Sequence, residues 1–462
     1  LSDFPLFFSF KKSKNDEQEV FFMVNSERQV IALISDYADP SEEIDMEEAG
    51  GQNIYVREMG ESLAALGWQV DIFTRKSHPN DPAIVQHSPH CRTIRLQAGP
   101  ATFIPRDQLF EYMPEFLDSF QAFQAKNAVR YPLIHTNYWL SGWVGLQLQE
   151  QNNVQLIHTY HSLGAVKYDT MASKPAIAET RLALESEILA KADCILATSP
   201  QEKETLCDLL SETGRIEVIP CGTTANFHSF PKNEAREKLG WAEQDKILLY
   251  VGRFAPRKGI ETLVKSCAEL KQRKVENLKL VIVGGSSLDR LDGPERNRIE
   301  QLVEALELQD QTHFAGRIDH DWLPWYYSAA DVCVIPSYYE PFGLVAIEAI
   351  ACGTPVVASK VGGLRFTIQP EETGLLVPPK DEIALADAIE QVLGDEAWVT
   401  KLKKQASSGM NQGFSWQNAA LEVSDLYRYI LARSIMHDQP WNPKVSRLRT
   451  ISEMTVTDIA VV

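Results

Sequence analysis

Residues 337–353 read SYYEPFGLVAIEAIACG, and the rest of the chain is organised around them. An apolar run, residues 332–336, stands before the stretch; Thr354-Pro355 and a second apolar run, residues 356–358, follow it. Short apolar runs bounded by turn residues read as buried strands, so the stretch is the loop and helix of a strand–helix–strand unit. Pro341 bars helix at Glu340, which starts the helix near Leu344, and Gly353 with Pro355 ends it. Glu340 then lies in the loop at the carboxyl end of a strand, where open α/β sheets bind ligands, and Glu348 about one turn into the helix. The amides of Phe342, Gly343 and Leu344 are the donors of a helix N-terminus, a site for an anion such as phosphate. A loop carboxylate for sugar hydroxyls, amides for a phosphate and a second carboxylate for a ribose diol would together hold a nucleotide-sugar. Taken singly, Glu340 reads as a helix cap and Glu348 as a solvated helix residue, and the surrounding sequence is what points to a site.

The run EPFGLVAIEAIACGTPVVAS, residues 340–359, resembles the E-x7-E signature of retaining glycosyltransferases with the GT-B fold. That family is typified by glycogen, sucrose and sucrose-phosphate synthases. The resemblance extends from about Val30 to Ala432 and implies an α/β protein: two Rossmann-like parallel-sheet domains facing a deep cleft. The expected order is an extension outside the fold (residues 1–28), an acceptor-binding domain (29–221) and a linker (222–244). A nucleotide-sugar domain (245–413), a helix crossing back to the first domain (414–433) and a tail (434–462) follow.

A chain of 462 residues accommodates two or three domains, and 44% hydrophobic with 23% charged residues is an ordinary globular composition. The formal charge of −18 argues against nucleic acid or an anionic membrane as partner. A phosphorylated substrate would then need a local cluster of Arg and Lys. The seven cysteines include no CxxC and read as reduced thiols of a cytoplasmic protein. No apolar run reaches transmembrane length. The sequence contains no HExxH and no clustered His or Cys, so no bound metal is expected; no cofactor is expected beside the substrates, and the expected partners are small-molecule substrates.

In the first half, residues 30–35 (VIALIS) read as the first strand, and Gly50-Gly51 opens a helix with Ile54, Met59, Leu63 and Leu66 on one face. A double glycine lets backbone approach a ligand, or simply makes a tight turn. In the resembled family this GG lies where donor sugar and acceptor meet, and Gln52 after it resembles the sucrose-forming branch. Arg106 opens a helix expected from about Asp107, and Tyr138 is expected to be exposed in the loop after the strand LIHT. After the next strand come His161, Ser162 and Lys167. Three consecutive strand ends thus offer polar groups, which the switch-point rule directs to one crevice. Arg181 is either a phosphate ligand or an i,i+4 partner of Glu185 on a helix surface.

In the second half, residues 246–252 (KILLYVG) lead directly into RFAPRKG. Arg253 and Lys258 are two cations at one strand-to-helix turn, able to neutralise a departing diphosphate. G-R-F-x-x-x-K-G is a second motif of the resembled family, whose backbone near Arg317-Ile318 reads the base.

The tetrapeptide HSLG, residues 161–164, resembles sucrose-phosphate synthases rather than sucrose synthases. The activity implied is retaining glucosyl transfer from UDP-glucose or ADP-glucose to fructose 6-phosphate. In it Arg253, Lys258, Glu340 and His161 serve the reacting sugar and diphosphate. Gly51, Gln52, Arg317, Ile318, Phe342, Gly343, Leu344 and Glu348 complete the donor site, and Gln52, Arg106, Tyr138, Ser162, Lys167 and Arg181 form the acceptor site. The C-terminal stretch is too short for a phosphatase domain, so a separate sucrose-phosphate phosphatase is the expected further partner. Alternatives are a sucrose synthase, an inositol-phosphate glycosyltransferase, and a nucleotide-sugar epimerase or sensor that transfers nothing.

Overall fold

Apolar runs such as KILLYV and VCVI can be buried on both faces, and that is what a parallel sheet covered by helices demands. The computed structural model describes residues 28–41, 50–169, 171, 173–209, 215–285, 292–407 and 414–435. Eight strands in this range form the first sheet: β1 (Val30–Ile34), β2 (Gln69–Arg75), β3 (Ile84–Ser88), β4 (Cys91–Leu96), β5 (Leu133–Asn137), β6 (Gln155–Thr159), β7 (Cys194–Ala197) and β8 (Ile216–Val218). The second sheet comprises β9 (Lys246–Val251), β10 (Leu278–Val283), β11 (Thr312–Gly316), β12 (Val332–Ile335), β13 (Val356–Ser359) and β14 (Gly374–Val377).

The strand orders are β3-β4-β2-β1-β5-β6-β7-β8 and β11-β10-β9-β12-β13-β14. All pairings are parallel except β3 with β4. The strand order reverses between β1 and β5 in one sheet and between β9 and β12 in the other. These switch points open crevices at the carboxyl ends of the strands.

The helix Trp416–Ile435 packs on the first sheet. Trp68 Nε1 donates to Ser424 Oγ at 2.9 Å, and Tyr427 Oη lies 2.6 Å from His135 Nδ1. Trp416, Ala420, Val423 and Leu426 share a core with β1 and β2. Where the two linking segments cross, backbone presses on backbone. A Cβ added to Gly222 would fall 2.1 Å from Trp416 N, and Thr223 N donates to Phe414 O at 2.9 Å.

Three expectations change, and one strand is added. Arg28 was assigned to the extension but joins the fold, donating to Ala64 O at 2.6 Å. Residues 1–27 and those beyond 435 lie outside the described range. The edge strand β3 escapes a search for apolar runs because it pairs on one side only and Ile84 is 46% exposed. The helix after Arg106 begins later than expected: a 3-10 turn, Arg106–Tyr112, comes first and the α-helix spans Met113–Asn127. Pro114 tolerates only the first turn of an α-helix, and that sets the start. Finally, Tyr138 is 1% exposed rather than open to solvent, with an unusual φ of 76°.

Among the described residues no helix is long and apolar enough to cross a membrane. All seven cysteines are unpaired thiols.

Candidate active site

The carboxyl ends of β1, β6, β9 and β12 converge on a cavity of about 310 Å³ lined from both sheets. A second cavity of about 700 Å³ opens beside it along the second sheet. Gly51, Arg253, Arg257 and Leu344 line both. The sheets meet closely here, since a Cβ on Gly51 would lie 3.2 Å from Leu344 Cδ1.

The turn Pro256–Lys258 ends at Gly259, whose φ of 68° suits glycine. A Cβ there would sit 2.0 Å from Pro336 O, so only glycine lets the turn rest against the end of β12. That contact brings Lys258 onto Glu340: Lys258 Nζ bonds Glu340 Oε2, and Ser337 Oγ donates to the same oxygen at 3.4 Å. Their side chains are 18% and 14% exposed. Burial opposes the charge on both. It pulls the Lys258 ammonium below its ordinary value despite Glu340, whereas Lys258 and Arg257 outweigh burial at Glu340 and hold its carboxyl low. The two residues expected to act separately, one on diphosphate and one on sugar, are therefore an ion pair in the unliganded chain.

Glu348 is 5% exposed and lines the larger cavity with Arg317, Ile318, Gly284 and Gly285. Tyr327 Oη donates to Glu348 Oε2 at 2.8 Å, and burial keeps that phenol protonated. Glu348 Oε1 faces His320 Nε2 at 3.6 Å. Burial disfavours the His320 imidazolium, but Glu348 and then Glu58 outweigh it and raise its pKa. Phe342, Gly343 and Leu344 line the smaller cavity at the start of the helix Leu344–Ala351.

On the opposite wall, Gln52 Nε2 donates to Ser35 Oγ at 3.1 Å while its Oε1 accepts from Tyr37 Oη at 2.6 Å. Arg106 Nη1 reaches the same phenol at 3.3 Å, with its guanidinium 4.5 Å from the Tyr37 ring centre. His161 has a left-handed φ of 57° and its Nε2 lies 2.9 Å from Asn137 Oδ1. The Asn137 amide nitrogen donates to Ile34 O at 3.2 Å, so its oxygen faces His161. Nε2 therefore carries the proton and Nδ1 is left as an acceptor. Burial, with His135 nearby, pulls the His161 imidazole down to about 3, so it is neutral. Ser162 and Lys167 complete this wall. Burial, then the charges of Arg106 and Arg181, pull the Lys167 ammonium down to about 8.

Arg181 and Tyr138 do not line the cavity; they stand behind it. Arg181 is 1% exposed. Its Nε donates to Glu185 Oε1 at 2.7 Å, Nη1 to Tyr138 Oη at 3.0 Å and Nη2 to Ser162 O at 2.5 Å. Glu185 in turn accepts from Gly164 N at 2.8 Å. The i,i+4 pair exists, but buried rather than on a helix surface, and Arg181 holds the shape of the 161–164 segment.

Sequence reasoning passed over Tyr37, Asn137, Arg257 and Tyr339. Tyr37 and Asn137 are at or just past the ends of β1 and β5, where the switch-point rule alone would have found them. Arg257 was visible as a third cation in RFAPRKG. Asp36 was missed as well: it is fully buried, Ser141 Oγ donates to its Oδ1, and burial raises its carboxyl to about 6.

Residues 50–222 match the family described as Glycosyl transferase 4-like domain, and residues 231–409 that described as Glycosyl transferases group 1. The chain belongs to the group 1 glycosyltransferases and has their GT-B fold. A D-inositol 3-phosphate glycosyltransferase from Corynebacterium efficiens is 35% identical to it over 408 residues, covering 86% of this chain and 94% of that protein. The corresponding protein of Corynebacterium jeikeium is 35% identical over 404 residues, 86% of this chain and 96% of its own. A solved structure of sucrose-phosphate synthase from Thermosynechococcus elongatus is 56% identical with a TM-score of 0.82, spanning 88% of this chain and 100% of that one.

Proposed function

We propose that this glycosyltransferase makes sucrose 6-phosphate by retaining transfer of glucose from UDP-glucose or ADP-glucose to fructose 6-phosphate. The observation that carries the reading is the distribution of cations around one small cavity. Arg253, Arg257 and Lys258 stand on one wall, and Arg106 and Lys167 on the other. A strongly acidic chain that concentrates five cations there suits a substrate pair bearing phosphate at both ends.

In this reading Arg253 and Lys258 take the leaving diphosphate, and the charge that develops on it is what they stabilise. Lys258 is shared between that diphosphate and Glu340, which fixes the carboxylate that orients the glucose hydroxyls. Glu348, pinned by Tyr327, accepts from the ribose diol, and the backbone at Arg317-Ile318 reads the base. His161, neutral and with Nδ1 as its acceptor, receives a glucose hydroxyl. Arg106, Lys167 and Ser162 hold the acceptor phosphate, with Tyr138 and Arg181 supporting them from behind. The acceptor hydroxyl attacks on the face that the diphosphate leaves, and its proton passes to a diphosphate oxygen.

The Lys167 pKa gives a pH signature. In the unliganded protein its ammonium is present below about 8 and lost above it, and only the cation attracts phosphate. The KM for fructose 6-phosphate should therefore rise, by up to about tenfold at one pH unit above that value, while the KM for the nucleotide-sugar stays level. Steady-state kinetics across this range check it, and a level acceptor KM would remove Lys167 from the phosphate site.

A second reading has its own support. The inositol-phosphate enzymes at 35% identity also have a phosphorylated acceptor in their names. The higher identity, 56%, to a sucrose-phosphate synthase favours fructose 6-phosphate. UDP release from UDP-glucose, with fructose 6-phosphate or D-inositol 3-phosphate offered separately, decides between them. Turnover with the inositol phosphate alone would replace the reading proposed here.

A further inference from the structure

Tyr339 belongs to the loop that carries Glu340, yet its phenol bonds to the opposite domain. Leu163 N, a buried amide, donates to Tyr339 Oη at 3.0 Å. Leu163 lies within the segment that holds His161, Ser162 and Lys167. At its other end Tyr339 O accepts from Arg257 Nη1 at 3.4 Å, and the next residue is Glu340, paired with Lys258. Tyr339 is 8% exposed and lines the smaller cavity. Another cross-cleft hydrogen bond in this loop, Ser199 Oγ to Pro341 O, is a long 3.4 Å and reaches a different segment of the first domain.

We propose that Tyr339 is a positioning residue that locks the acceptor-binding segment 161–167 to the donor loop 337–344. The inference rests on reading the cavity as a site of glycosyl transfer. Transfer needs the acceptor oxygen within roughly 3–3.5 Å of the sugar's reacting carbon, and a small misplacement costs orders of magnitude in rate. The two substrates are held by different domains, so their relative position is only as firm as the ties across the cleft. Tyr339 is a tie made at the reacting end. Without it the donor remains bound and activated while the acceptor is poorly placed. Water then forms the new bond to the glucosyl carbon as the bond to the diphosphate breaks, and the products are glucose, UDP and a proton.

The test is Tyr339→Phe in the full chain, which keeps the ring and removes the oxygen that accepts from Leu163. Hydrogen exchange without substrate should show the 161–167 segment exchanging about tenfold faster, with other regions unchanged. With whichever acceptor the unmodified protein uses, transfer should fall about tenfold and the acceptor KM rise, with UDP affinity within about twofold. The ratio of UDP-glucose hydrolysed to glucose transferred should rise. A residue with only a structural role would lower the melting temperature and scale transfer and hydrolysis down together, leaving their ratio alone. Unchanged exchange in 161–167, or an unchanged ratio, overturns the proposal. Failure of the unmodified protein to use fructose 6-phosphate would count against the acceptor assignment and not against the tie, because the exchange measurement involves no substrate.

Discussion

Replacing Lys258 with alanine is expected to lower kcat about 100- to 1,000-fold and to destabilise the protein at the same time. The first effect follows from its proposed place on the leaving diphosphate, where removal of one preorganised donor typically has that size. The second follows from Glu340. Its carboxylate bonds Lys258 Nζ with only 14% of the side chain exposed, so the single substitution strands a largely buried charge. Breaking such a pair costs about 3–5 kcal/mol in a fully buried setting, and less here because water reaches both groups in part. The double variant Lys258→Ala with Glu340→Gln separates the two effects. It should regain most of the lost stability in thermal unfolding and none of the single-turnover rate. If the single variant keeps kcat within about threefold, Lys258 serves only to hold Glu340, and the diphosphate is gripped by Arg253 and Arg257.

Arg181→Ala carries the larger effect on stability. The sequence left Arg181 as either a phosphate ligand, whose loss would raise the acceptor requirement and leave nucleotide affinity alone, or an i,i+4 partner of Glu185. The structure buries it at 1% exposure, in contact with Glu185, Tyr138 and Ser162. Glu185 itself is 2% exposed, so the alanine variant leaves an uncompensated buried carboxylate. A loss of about 3–5 kcal/mol is expected, enough to unfold a marginal domain. The informative variant is Arg181→Met with Glu185→Leu, since replacing a buried ion pair by well-packed apolar residues of similar volume is often neutral or stabilising. That protein should melt near the unmodified temperature. Its KM for fructose 6-phosphate should nevertheless rise at least about tenfold, because the carbonyl of Ser162 and the phenol of Tyr138 lose the donor that orients them. An unchanged KM in the stable double variant would confine Arg181 to folding.

The two effects explain why parts of this molecule are readable from sequence and others are not. Residues 337–359 could be read because proline and glycine punctuate them and their strands are uninterrupted apolar runs. The helix appears at Leu344–Ala351, where Pro341 and Gly353 require it. The joining of Lys258 to Glu340 could not be read, because the residues are 82 positions apart and only the packing of Gly259 on β12 brings them together. The contact of Tyr339 with Leu163 spans 176 positions and two domains. Local spacing did disclose Arg181 with Glu185 as a pair one turn apart. Whether that face of the helix looks outward or into the core depends on the whole domain, and spacing is silent on it. The same holds for Tyr138, placed correctly after β5 but buried against Tyr37, with ring centres 4.9 Å apart.

In the proposed reading, cations on the first-domain wall hold a phosphate on the acceptor. The ratio of kcat/KM for fructose 6-phosphate to that for fructose, each with saturating UDP-glucose, tests it most directly. Charge-assisted hydrogen bonds from Arg106, Lys167 and Ser162 should make this ratio at least about 1,000. A ratio near one would mean that the pocket does not use the phosphate, and fructose 6-phosphate would be ruled out as the acceptor these cations select.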